Sequence, residues 1–254
     1  MEKIYLILFF ILGTIFGSFY TVVGYRLCKK ESIVFPRSHC PNCNHKLTPL
    51  ELIPIISYIF LGCKCKQCKK KIPIFYPLVE LFTGILFTVS FYSWGFTLDL
   101  LLCLLVSSMF VIIIITDLNY YIIPDEINIF FGIAILIVNI FKYGFLGACK
   151  YVLFGLSMFI FMYLLMLLGN KLFKEESLGG GDIKLLFVLG MTVPLVLSFL
   201  GVALASFIAL PVSLIILYKK KDKIVPFGPF LVGAFLIIIL LKLDIDKVYT
   251  FLNL

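Results

Sequence analysis

Apolar residues run through this chain in long blocks separated by short polar stretches. The blocks are too long for the amphipathic helices of a water-soluble core. Eight runs stand out, at 4–24, 76–93, 99–117, 124–142, 150–169, 183–199, 200–218 and 227–243. Each approaches the ~20 residues that carry a helix across about 30 Å of hydrocarbon. The stretch 183–218 is a single apolar block, too long for one crossing, and Gly201 near its middle is the expected turn. The first run sits where a signal peptide would. Its "GTIFGSFYTVVGYRL" lacks a convincing cleavage site and passes directly into a basic segment, so it reads as a retained first span. The pattern predicts an all-α polytopic membrane protein with about eight transmembrane helices.

One sizeable hydrophilic segment, 26–75, interrupts the pattern. The expected organisation is therefore a first transmembrane helix over 1–25, a small cytoplasmic module over 26–75 and a seven-helix membrane bundle over 76–254. Composition agrees: 62% of the 254 residues are hydrophobic and mean hydropathy is +1.12. The net charge of +8 changes the picture only through its distribution. Lys and Arg concentrate in 26–75, 170–184 and 219–223, which fall on one side of an eight-span chain. The other side holds only Lys3, Lys142, Lys150, Lys242 and Lys247. This positive-inside asymmetry puts the hydrophilic segment and the glycine stretch 179–181 in the cytoplasm and both termini outside. The charge then reports topology and contact with anionic lipid in a bilayer. Basic residues are not interleaved with aromatics on a groove-like element, so nucleic acid is not an expected partner.

The module carries Cys40-x-x-Cys43 and Cys65-x-x-Cys68, with 21 residues between the pairs. Paired knuckles at this spacing suit tetrahedral thiolate coordination of a structural zinc. A reducing cytoplasm disfavours the alternative of disulfides. Cys63 offers a substitute for Cys65, and His39 and His45 flank the first knuckle as outer donors or as plain loop residues.

Two carboxylates raise a different question. Asp117 ends the third apolar run, in "IIIITDLNYYIIPDEIN", and Asp182 opens the sixth, in "ESLGGGDIKLL". The topology puts both at one membrane depth, and ionisable residues there are functional candidates. Two carboxyls that share a site hold one proton between a general base and a general acid, which is equipment for activating water against an amide carbonyl. The glycines before Asp182 are expected to allow a strained turn and close approach of backbone to substrate. Read singly, Asp182 is a helix N-cap and Asp117 a helix-end residue. Asp125 and Glu126, after Pro124, read as first-turn acids, and "YKKKDK" (218–223) reads as an anchor.

Taken in order, "GSFYTVVGYRL", "CPNCNHKLTPLELIPIISYIFLGCKCKQCKKKIPIFYPLVELFTG", "TDLNYYIIPDEIN", "LGGGDIKLL" and "PFGPFL" resemble the motifs of bacterial type IV prepilin peptidases. These are leader peptidase/N-methyltransferases of the GxGD aspartyl protease group. Thr21 departs from the asparagine usual at its position, and Cys63 is an extra thiol. The resemblance implies that Asp117 and Asp182 form the catalytic dyad and that Cys40, Cys43, Cys65 and Cys68 bind zinc. It implies prepilin or pseudopilin substrates, cleaved after the glycine of a short basic leader at the cytoplasmic face of the bacterial inner membrane. It further implies methylation of the new N-terminus from S-adenosylmethionine, with 26–75 as the methyltransferase region. Glu51 and Glu80, beside the module in family elements, are the candidates for binding the amine or the methyl donor, with snorkelling or salt bridging to nearby lysines as the plain alternative. The alternatives are a peptidase without methyltransferase activity and a non-enzymatic zinc-ribbon membrane scaffold.

Overall fold

The structure, a computed structural model, describes residues 2–173, 178–219 and 225–244. Most of the basic run at 219–223 lies outside the described residues. Eight α-helices follow in order: α1 (Glu2–Cys28), α2 (Ile56–Phe60), α3 (Phe75–Trp94), α4 (Leu98–Tyr120), α5 (Asp125–Phe173), α6 (Gly180–Gly190), α7 (Leu195–Lys219) and α8 (Gly228–Leu240). No strand longer than an isolated bridge occurs among the described residues. Five of the helices, α1, α3, α4, α5 and α7, are long and apolar enough to cross a membrane.

The 49 residues of α5 cover two of the expected runs. They divide at Gly144, whose φ of 71° and ψ of 175° no helix contains and few side chains tolerate. Counted as two arms, α5 brings the apolar helices into correspondence with the eight runs. Helices α6 and α8 are short, with 11 and 13 residues. At 1.5 Å per residue each spans roughly 16–20 Å, less than a full hydrocarbon thickness.

The break inside the 183–218 block is not at Gly201. Helix α6 ends at Gly190, the N–H groups of Met191 and Thr192 close tight turns onto Val188 and Leu189, and α7 starts at Leu195. Pro194 explains the placement, because it has no N–H to continue the ladder and its ring disfavours helical geometry in the residue before it. Gly201 lies inside α7 instead. A Cβ there would meet the Phe235 ring of α8 at 2.7 Å, so this glycine serves helix packing.

Contacts divide the chain into two compact units, Met1–Gly95 and Phe96–Leu254. Helix α3 associates with α1 in the first of these. In the first unit α1 and α3 approach through small residues. A Cβ on Gly13 would lie 2.7 Å from the Thr83 carbonyl, and one on Gly17 2.8 Å from the Thr83 hydroxyl. Gly13 and Gly17 form a small-xxx-small pair, the pattern by which helices pack in lipid, where no hydrophobic force drives them together. Arg26, at the end of α1, donates from its guanidinium to the carbonyls of Ser32, Ile33 and Pro36 and so folds the chain into the module.

In the second unit α4 packs against α8 and the first arm of α5, and α6 lies along α5. The Asn139 amide donates to the Met191 carbonyl at 2.8 Å, tying α5 to the end of α6. Lys184 reaches both carboxylate oxygens of Asp125 at 2.8 Å, so Asp125 braces α5 against α6 as well as opening a helix.

Candidate active site and metal centre

Asp117 lies in the last turn of α4, 6% exposed. That helix stops four residues later at Tyr121, which takes the left-handed conformation and returns its N–H to the Asp117 carbonyl. The Asp117 carboxylate accepts the Gly228 N–H at 3.1 Å. Gly228 opens α8, so the positive end of that helix faces the carboxylate. Asp182 lies in the first turn of α6, directly after Gly181, which packs on the same Ile123 side chain as Gly228. The helix termini of one unit thus bring both predicted aspartates together.

Asp182 does not cap its helix. The N-cap is Gly179, whose carbonyl accepts the Asp182 N–H, and no side chain bonds the cap position. Its Oδ1 is buried and has no hydrogen-bond partner. The glycines before it differ from expectation, since none of them adopts a positive φ and no strained turn occurs. Their use is steric. A Cβ on Gly181 would lie 3.1 Å from Cβ of Ile123, and one on Gly228 would lie 2.9 Å from the same side chain and 3.0 Å from Asp117 Oδ2. Ile123 is therefore wedged between the two glycines that flank the carboxyls. Gly180 has open space instead.

This contrast carries a prediction. Gly228→Ala is expected to displace the Asp117 carboxylate and to slow any reaction there by at least about tenfold, since displacements near 1 Å can cost ~10²-fold. Gly180→Ala is expected to be silent. The two purified variants, compared for turnover and thermal midpoint, check both statements.

The cysteine module builds its site from two matching turns. The bridge between His39 and Lys46 closes the first knuckle and that between Lys64 and Lys71 closes the second. In each, the first cysteine's N–H and carbonyl are bonded across the turn: Cys40 to His45 and Asn44, Cys65 to Lys70 and Lys69. Asn44 and Lys69 take equivalent left-handed positions. The result brings Cys40, Cys43, Cys65 and Cys68 together, with ligand atoms all within 4.8 Å of one another. Two of the sulfur pairs are 3.8 and 3.9 Å apart. Zinc–sulfur bonds of about 2.3 Å at tetrahedral angles require sulfurs ~3.8 Å apart. The Lys70 N–H lowers the Cys68 thiol to about 6, while Cys43, despite the His45 N–H, is pushed up to about 11 by burial and the neighbouring sulfurs. Four thiolates this close repel one another, and a bound cation removes the conflict. Cys63 is outside the set; its N–H bonds the Tyr58 carbonyl.

Comparison with known proteins follows the same two-part division. The family model described as Bacterial Peptidase A24 N-terminal domain matches residues 11–94, and that described as Type IV leader peptidase family matches 103–214. The prepilin leader peptidase/N-methyltransferase of Bacillus subtilis (strain 168) is 38% identical over 187 residues, covering 71% of this chain and 71% of that protein. This chain belongs to the type IV leader peptidase family. A Pseudomonas aeruginosa relative with the same name is 31% identical over 269 residues, covering 94% of this chain and 91% of the relative. The Neisseria gonorrhoeae one is 29% identical over 245 residues, with 87% and 85% covered. No solved structure matches the chain significantly.

The two glutamates of this leader peptidase family member sit in different surroundings. One carboxylate oxygen of Glu51 accepts both the N–H and the hydroxyl of Thr48 at 2.8 Å, and His45 approaches the group at 3.2 Å. The Thr48 N–H, first among these, holds the Glu51 carboxyl below the usual range. Glu80, on α3, is buried and accepts the Ile55 N–H at 2.7 Å. Thr21 turns its hydroxyl back onto the Ser18 carbonyl of its own helix at 2.6 Å. Gly228 was visible in the sequence only as part of "PFGPFL", without a role. No single-sequence signal marks a backbone N–H as a carboxylate's partner.

Proposed function

We propose that this protein is a membrane-embedded aspartyl endopeptidase. It removes the short basic leader of a prepilin or pseudopilin after the leader's terminal glycine, at the cytoplasmic face of the bacterial inner membrane. It then methylates the new N-terminus from S-adenosylmethionine. The observation that carries the reading is the placement of Asp117 at the end of α4 and Asp182 at the start of α6, beside the two glycines that share Ile123, with an α8 N–H on Asp117. Family membership and the names of the relatives support the substrate class and both reactions.

The chemistry follows from the asymmetry of the pair. A carboxylate that accepts a helix N-terminal N–H holds negative charge better than one without a donor. Asp117 is accordingly assigned as the base that takes a proton from water, and Asp182 as the acid. Water oxygen bonds to the scissile carbonyl carbon while Asp182 protonates the carbonyl oxygen. The C–N bond then breaks as the amine nitrogen takes the proton held by Asp117, while one hydroxyl of the intermediate returns a proton to Asp182, and the leader departs with a new carboxyl.

The cysteine set suits a structural zinc: four thiolates and no open position for water. Cys40, Cys43, Cys65 and Cys68 would hold it. When bound, zinc cross-links two turns that have almost no apolar core of their own. The functional division we assign is a first transmembrane helix over 1–25, the zinc module and methyltransferase region over 26–75, and the peptidase bundle over 76–254. Glu51 and Glu80 are assigned to binding the amine or the methyl donor.

The test is a mass measurement. Purified protein in detergent, given a synthetic prepilin, is expected to release the leader intact to its last glycine, and adding S-adenosylmethionine is expected to add one methyl mass to the mature N-terminus. Cleavage without the added methyl would leave the peptidase alone; no cleavage would defeat the proposal.

A further inference from the structure

Residues 49–62, "PLELIPIISYIFLG", lie inside the hydrophilic segment yet contain no Lys or Arg. The basic residues of the module fall on either side, over 26–46 and 64–71. The stretch forms a 3-10 helical turn at Pro49–Leu52 and then the short helix α2. Its one charged side chain, Glu51, is 6% exposed and turned onto Thr48 and His45. What faces outward is apolar: Phe60 is 87% exposed, Leu50 76%, Ile59 67% and Ile56 52%. Single apolar residues on a surface need no explanation, but a run of them on one short segment marks a contact with protein or lipid.

Depth distinguishes the two. The 20 residues of α3 reach roughly 30 Å at 1.5 Å per residue, just the hydrocarbon thickness that they must cross. The first turns of α3 therefore lie at the boundary between acyl chains and headgroups. Aromatic rings mark that level, as they do at membrane interfaces. Tyr25, near the end of α1, lies 6.5 Å from Phe75 and 6.3 Å from Tyr76 between ring centroids. Glu80, in the second turn of α3, accepts the Ile55 N–H at 2.7 Å. That bond ties the middle of the apolar stretch to the boundary and keeps it from standing out in water. A stretch of this length is too short to span and suits an interfacial segment.

We propose that residues 49–60 are an interfacial membrane anchor, with Leu50, Ile53, Ile56, Ile59 and Phe60 sunk into the leaflet that the module faces. Lipid is present at this depth wherever α3 crosses a bilayer, whereas no protein partner is needed to explain the surface. Charge complements the contact. Lys64, Lys66, Lys69, Lys70 and Lys71 follow the anchor, all exposed, and lysines beside a bilayer are drawn to anionic phospholipid headgroups. The anchor joins Cys43 of one knuckle to Cys65 of the other, so it holds the cysteine site at the bilayer surface.

The test uses the single tryptophan of the chain, Trp94. Trp94→Phe leaves a background without tryptophan, and Phe60→Trp then places one reporter at the most exposed apolar position of the anchor. The full-length protein is reconstituted into vesicles of phosphatidylcholine and phosphatidylglycerol, with plain or brominated acyl chains and with acrylamide on both sides. The reporter is expected to emit as in apolar surroundings, to lose roughly half its emission to brominated chains and to be shielded from acrylamide. Ready quenching by acrylamide with no effect of bromine would place the segment in water and overturn the inference. Shielding from both quenchers would mean that protein covers the segment, a second copy or the rest of the chain, and would overturn it equally. Should Phe60→Trp fail to accumulate, Ile59→Trp is read by the same criteria. Leader removal plays no part in the readout, so the result leaves the peptidase reading untouched.

Discussion

Asp182→Asn is expected to accumulate in membranes like the parent and to leave prepilin uncut. The substitution conserves shape and removes only the ability to carry and release a proton. Positioned acid–base groups contribute about 10²–10⁴-fold each, and a dyad that acts as one unit loses nearly everything with either member. Stability argues in the same direction. Asp182 Oδ1 makes no hydrogen bond that the amide would forfeit, so the fold is not harmed. Asp117→Asn is expected to be as inactive. Its amide oxygen can still accept the Gly228 N–H, so loss of activity there cannot be assigned to loss of that contact. Immunoblots of membrane fractions and of the pilin, with the leader still attached, check both halves of the expectation.

The second large effect concerns the cysteine module. Cys65→Ser is expected to release the metal and to unfold the segment around it. A structural zinc contributes on the order of 10–16 kcal/mol to such small sites, more than a segment this size gains from apolar burial. Apart from a metal, the residues near the sulfurs are held by the hydrogen bonds within each turn, the bridges at His39–Lys46 and Lys64–Lys71 and a bond from the Lys70 ammonium to Asn42, with mostly half-buried or exposed side chains between. Metal content per chain is expected to fall from one to near zero, and limited proteolysis is expected to cut within 38–71. Methylation should be lost with the module. Leader removal should decline less, because the residues assigned to it all lie in the second compact unit. A Cys65→Ser protein that retains stoichiometric zinc would overturn the ligand assignment, with Cys63 the first substitute to examine.

Much of this was legible in the residues because the forces involved act over whole segments. Hydropathy marked the long apolar helices, since lipid demands long apolar runs whatever their packing. The knuckles were legible because tetrahedral coordination fixes a two-residue spacing. Turning points were not. Gly201 looked like a break, but a glycine in lipid serves close packing as readily as turning, and here it makes room for Phe235. Pro194 held the real signal, through its missing N–H. The same ambiguity hid the use of the glycines at 179–181, where only Gly181 presses on Ile123 and Gly180 faces open space. Nor could the sequence show Gly228 N–H reaching Asp117 across 111 positions, or Asn128 left buried and unpaired. Those facts belong to tertiary contacts, and apolar periodicity carries no record of them.

The central claim, that Asp117 and Asp182 are one proton-sharing unit, is tested most directly by single-turnover leader removal with Asp117→Asn, Asp182→Asn and the double variant. Carboxyls that work as a unit predict the same residual rate in all three, because the second substitution removes nothing the first has left. A double variant slowed by the product of the two single losses, or either single variant cutting at the parental rate, would contradict it.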